Sequence, residues 1–208
     1  MNKVDFKEIK TIVSRCGFDF NYEKNVGKKF IEVCHIHNWD YGYSENSVKW
    51  SEESTYPFYN GPRRQFYTDM KEILDFLYDY INCNNIIDFV SAPLFSNPWI
   101  SCESYSEVKD IYSETTSFLR KNQMRKNSKS GIQFEIQKNK EILEMILEGG
   151  FRGVSNAYLL SQENHIILEP HHHLNIFFFT NNFEKEKKTI TELLKNHQNL
   201  RYYEGIVE

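Results

Sequence analysis

Apolar residues recur along this chain at two spacings, and the switches between them outline its elements. In "VDFKEIKTIVSR" (4–15), Phe6, Ile9, Ile12 and Val13 keep helical spacing, and Gly17 supplies a stop. "KKFIEVCHIHNW" is rich in β-formers and predicts a strand. Between Trp39 and Tyr67 nine aromatic residues stand among Ser, Glu, Pro and Gly, which predicts a hairpin and a long loop. The clearest helix follows, Arg64 to Ile81, with Phe66, Met70, Ile73, Leu74, Leu77 and Ile81 on one face.

"NIIDFVSAPLF" reads as a buried strand ending at Pro93. "SYSE" (104–107) has the form of a capping box and opens a helix with Val108, Ile111, Tyr112, Thr115 and Leu119 inward. "RKNQMRKNSKSG" (120–131) has five positive charges and no acid, and is expected to be a solvated loop or linker. Then come the strand "IQFEIQ", a helix "NKEILEMILEGG" closed by its glycines, and the apolar runs "NAYLLS", "HIILE" and "LNIFFFT". A last helix starts near Asn182, with Glu184 and Glu186 at its positive end, and "LRYYEGI" forms a final strand. Strands in succession interrupt any regular βαβ alternation. The expected fold is therefore α+β, an antiparallel or mixed sheet flanked by four or five helices. It is expected as one domain over 1–208, with 1–119 and 132–208 as possible lobes on either side of 120–131.

With 208 residues the chain can bury a core without disulfide or metal staples. Its four cysteines, Cys16, Cys34, Cys83 and Cys102, form no C-x-x-C and no zinc-finger spacing, and read as reduced, half-buried thiols. No run has the length of a signal peptide or a membrane span, so a cytoplasmic protein with no membrane partner is expected. The formal charge of −4 disfavours nucleic acid as a partner. The acidity is concentrated early: residues 1–120 hold 13 Lys and Arg against 18 Asp and Glu.

"EPHHHLNIFFF" (169–179) is the main candidate for chemistry. An unbroken strand would put Glu169, His171 and His173 on one face, and His35 and His37 share the same two-residue spacing. Two neighbouring strands would then offer four imidazoles, with Glu169 or Asp40 as general base, for zinc or another divalent transition metal in a hydrolase. Against this, Pro170 has no ladder proton, which makes the segment a bend leading into "LNIFFFT". Neither histidine pair completes a recognised metal motif, so the leading expectation is no cofactor. Nucleophile elbow, P-loop and dinucleotide motifs are missing, and "EGGFRG" follows a helix where a phosphate loop would follow a strand.

Glu72, Asp75 and Asp79 lie opposite the apolar face of the clearest helix, with Asp69 at the border. They read either as a solvated face or as an acidic docking surface for a basic protein. Trp39, Trp50, Tyr56 and Tyr59 in the adjoining aromatic stretch suit an interface. The succession "LEMILEGGF", "AYLLSQENHIILEPHHHLNIFFFT" and "NNFEKEKKTITELLKNHQNLRYYEG" resembles small uncharacterised proteins of low-GC Gram-positive bacteria, which look like toxin-immunity proteins. The resemblance implies a protein that neutralises a toxin and brings no catalytic residues; with the acidic helix and the aromatic stretch, the leading expectation is a non-catalytic protein of immunity or antitoxin type that occludes a basic partner such as a toxin or nuclease. A phage or host regulator holding a small ligand between lobes is the third class.

Overall fold

Eight strands, every neighbouring pair antiparallel, make one sheet in the order β1-β6-β5-β7-β8-β9-β2-β10. They are β1 (Asn2–Val4), β2 (Lys29–His35), β5 (Asp88–Pro93), β6 (Gly131–Glu135), β7 (Ala157–Ser161), β8 (Ile166–His171), β9 (Asn175–Thr180) and β10 (Leu200–Ile206). β3 (Ser54–Tyr56) and β4 (Tyr59–Pro62) form a separate hairpin. The helices are α1 (Phe6–Arg15), α2 (Arg63–Cys83), α3 (Lys109–Lys121), α4 (Lys140–Phe151) and α5 (Phe183–Leu193). This computed structural model describes residues 1–36, 54–56, 59–101 and 108–208, with backbone alone for 54–56 and 59–64. Trp39, Trp50, His37, Asp40 and the cap at 104–107 lie outside the described residues, and Tyr56 and Tyr59 are described in backbone only.

Period-two alternation sorts the strand residues into two cores. Phe89, Leu159, Leu168, Ile176 and Phe178 face α2, α3, α4 and α5, whereas Val90, Leu160, Ile167 and Phe179 face α1. Because both faces of the central strands are covered, β7 is buried at every position and reads as an apolar run. Among the described residues no helix is long and apolar enough to cross a membrane.

Strands from before and after 120–131 share this sheet: β5 lies between β6 and β7, and β2 between β9 and β10. The connector after α3 is packed, not solvated throughout. Met124 enters the helical-side core, and buried Trp99 donates through its backbone N to Lys126 O (2.6 Å) and through Nε1 to Ser130 O (3.1 Å).

Three local expectations change. Val4 belongs to β1, paired with Gly131, and the helix begins only after Asp5, whose Oδ1 accepts from Glu8 N at 2.9 Å. Gly149 and Gly150 lie inside α4, and it is Gly153 that takes positive φ (67°). A Cβ on Gly150 would stand 2.6 Å from Pro170 O, so glycine here permits the helix to approach β8. Glu186 is no solvated helix-start acid: it is 1% exposed and accepts a 2.5 Å hydrogen bond from Tyr80 Oη.

Candidate functional site

The α2 carboxylates are drawn largely into tertiary contacts. Asp69 is fully buried, accepts from Gln65 Nε2 at 2.5 Å and lies 3.5 Å from His35 Nδ1. Glu72 meets His35 Nε2 at 2.9 Å through Oε2 and accepts from Asn199 Nδ2 at 3.0 Å through Oε1. His35, 1% exposed and opposite Leu200 in the β2–β10 register, is thus fixed by a carboxylate at each ring nitrogen. Asp69 is consequently not a surface group. Sequence period put it at the border of the helix face; the imidazole arriving from β2 makes the border an interior.

Asp75 and Asp79 remain outward. Their side chains are about half exposed, Asp75 pairing with Lys71 at 2.8 Å and Asp79 with His197 Nε2 at 3.0 Å. Beside them Tyr78 Oη donates to Glu144 Oε1 of α4 at 2.9 Å, and Tyr67 Oη reaches Glu148 Oε1 at 3.4 Å. Burial and the Glu144 carboxylate keep the Tyr78 phenol well above its ordinary pKa, so it stays a donor.

The histidines occupy the β8–β9 turn. β8 continues through Pro170, which lies opposite Ile176 but beyond the last β7 pair, Leu159 with Leu168, so its missing amide proton breaks no ladder on that side. The bend predicted at the proline therefore comes two residues later. Leu174 N donates to His171 O at 3.0 Å, and Leu174 takes φ 57°, the pattern of a three-residue hairpin loop closed by a left-handed residue. The Leu174 side chain is fully buried and pins this loop to the helical-side core.

The loop collects all three imidazoles. Ring centroids are 4.0 Å apart for His171 and His172, 4.3 Å for His172 and His173, and 5.1 Å for His171 and His173. One nitrogen from each lies within 4.8 Å of the others, the one such grouping of His, Cys, Asp and Glu among the described residues. Burial, followed by the neighbouring imidazoles, pushes His171 down to about 3; burial and His173 push His172 down to about 4; burial also lowers His173. All three rings are uncharged at neutral pH. Glu169, hydrogen-bonded to Tyr158 on the neighbouring strand, is pushed up to about 7 by burial. Asn175, directly opposite His171, donates to the Glu32 carboxylate. Asn175 Oδ1 and His171 Nδ1 are both buried, and the Asn175 side chain acts on the His171 ring, partly opposing the lowering by burial.

The four-imidazole arrangement expected from two strands does not form around His35. Its strand neighbours Ile31 and Val33 face the helices, whereas Glu169 and His171 share the opposite face with Ile167. Instead the structure adds His172, which an unbroken strand would have pointed away; the signal for it was a three-residue loop between two apolar runs. The buried cysteines offer no nucleophile, since burial pushes the Cys16 and Cys34 thiols up to about 12. An open cleft of about 690 Å³ is lined by Lys10, Phe18, Phe20, Tyr22, Phe95 and neighbours, all in the first hundred residues, not between 1–119 and 132–208. Comparison of the chain with protein-family models, curated proteins and solved structures finds no match in any of the three.

Proposed function

We propose that the chain is a non-catalytic binding protein of immunity or antitoxin type that covers a basic partner protein with the outer surface of α2 and α4. The observation that carries this reading is the exposed acidic strip on α2, Asp75 and Asp79 flanking Tyr78, continued by Glu144 of α4 through the Tyr78 hydrogen bond. Carboxylates around a tyrosine suit a basic partner: the charges steer the encounter and the ring supplies area at low conformational cost. The net charge of −4 adds to the same long-range attraction. Asp69 and Glu72, engaged with His35, support α2 from below and do not reach across to the partner.

The test is co-expression with a toxin encoded beside this chain. Wild type restores growth, and Asp75→Lys combined with Glu144→Lys loses that rescue while keeping the wild-type circular dichroism. The purified pair weakens as ionic strength rises from about 0.05 to 0.5 M. Rescue by the folded double variant, with salt-independent affinity, would overturn the reading.

A further inference from the structure

We propose that the β8–β9 turn is a transition-metal site, in which His171, His172 and His173 give three imidazole nitrogens to one divalent ion of the zinc, nickel, copper or cobalt class. This inference is independent of the partner reading, because the turn and the acidic strip use different residues.

The distances suit it. Zinc binds imidazole nitrogen at roughly 2.0–2.1 Å, so tetrahedral ligands stand about 3.3 Å apart. The widest spacing here, 4.8 Å, closes by about 1.5 Å through side-chain rotation. His173 is exposed and His172 half-buried, so the adjustment falls on rings that are not locked in the core. The backbone beneath them is held. Leu174 adopts a left-handed conformation that is unfavourable for a leucine, and its buried side chain anchors the loop against that strain.

A second observation also points to a ligand. His171 Nδ1 and Asn175 Oδ1 are neighbouring buried polar atoms, and the Asn175 side chain interacts with the His171 ring, which directs one ring nitrogen inward and leaves the other to face a ligand. That contact fixes which nitrogen an ion would take. Bound through Nε2, His171 keeps its proton on Nδ1, turned toward Asn175 Oδ1. Asn175 in turn is held by Glu32, so the sequence ion, imidazole, carboxamide, carboxylate follows the outer support common around metal-bound histidine. Glu32 and Glu169 lie on either side of Phe177 in one cross-strand row, adjacent to the His171–Asn175 pair, and place two carboxyl groups near the added charge.

The donor set selects the metal. Three imidazoles without thiolate suit zinc, nickel, copper or cobalt, and calcium or magnesium would prefer oxygen ligands. Three protein ligands leave a fourth position for water or another donor.

The experiment is titration of untagged, chelator-treated protein with zinc chloride and, separately, cobalt chloride, read by calorimetry and by the visible absorption of cobalt. One ion per chain is expected, with a Kd of micromolar or below and a tetrahedral cobalt spectrum. His173→Gln, at an exposed position, and His172→Gln each weaken binding at least tenfold, whereas His197→Gln leaves it unchanged. Absence of one-to-one binding would refute the site, as would equal affinity in His173→Gln and the wild type. Urea melts of each variant confirm folding, and His173→Gln alone decides the matter if His172→Gln unfolds.

Discussion

Replacing Gly150 by alanine sets two opposed effects against each other at one atom. Glycine inside a helix costs about 1 kcal/mol relative to alanine, so propensity alone favours the change. The new Cβ, however, would lie 2.6 Å from Pro170 O and 2.8 Å from Pro170 Cβ and Cγ, and ordinary contact begins near 3.4 Å. A backbone oxygen and a proline ring cannot rotate aside. Retreat of α4 is opposed on its own buried face by Leu143, Ile146 and Leu147. Overpacking costs about 1–3 kcal/mol, and three contacts this short with a backbone oxygen and a ring place it at about 2–3 kcal/mol, leaving a net loss of about 1–2 kcal/mol once the propensity gain is subtracted. With a urea slope of about 2 kcal/mol per molar, the midpoint of Gly150→Ala falls by about 0.5–1 M. Gly149→Ala is the control: its Cβ meets only Ser155 Cβ at 3.1 Å and Thr115 Oγ1 at 3.8 Å, so its midpoint does not show the fall expected of Gly150→Ala. A midpoint that rises in Gly150→Ala by the propensity amount would show that the helix does not depend on this close approach.

Tyr80→Phe removes the hydrogen bond to buried Glu186 without changing shape, and chemical denaturation should show a loss of about 1.5–3 kcal/mol, the range for a hydrogen bond to a charged group; a change under about 0.5 kcal/mol would mean that the carboxylate finds another donor. Leu174→Gly relieves the left-handed strain but empties a fully buried site, so a net loss of about 1–3 kcal/mol is expected; a stabilised variant would count against the anchoring role of Leu174. Cys16 and Cys34, pushed up to about 12, keep their protons in the native state to higher pH than in the unfolded chain. Stability therefore falls as pH rises above about 9, by up to roughly 1.4 kcal/mol per unit for each thiol, and Cys34→Ala flattens that dependence in urea melts at pH 8 to 10.5. In the native protein at pH 8, iodoacetamide should label exposed Cys83 and spare Cys16 and Cys34 until denaturant is added, as mass spectrometry would report.

Periodicity located α2 and α4 and the apolar strands because each presents a repeating buried face, a property carried by neighbours in sequence. Strand order and register depend on pairings between distant segments, and those left no local trace. The same distinction runs through the candidate sites. Glu186 looks like a solvent-facing acid, and Asp69 like one at the border of its helix face, until Tyr80, 106 residues from Glu186, and His35 arrive as partners. Gly149 and Gly150 look like a cap because their use, admitting Pro170 and Ser155, belongs to other elements. His172 drops out only when the strand is run on past His171 without a loop, although the three histidines themselves, the most conspicuous local feature, are plain.

The position of β2 between β9 and β10 has a consequence for how the molecule is made. Glu32 waits for Asn175, 143 residues further along. At about 5–20 residues per second, that interval lasts roughly 7–30 s on the ribosome. Through it the emerging chain carries Ile31 and Val33 without the strands that will cover their backbone. Residues 29–35 thus stay without either sheet neighbour until 175–179 and 200–206 have been made.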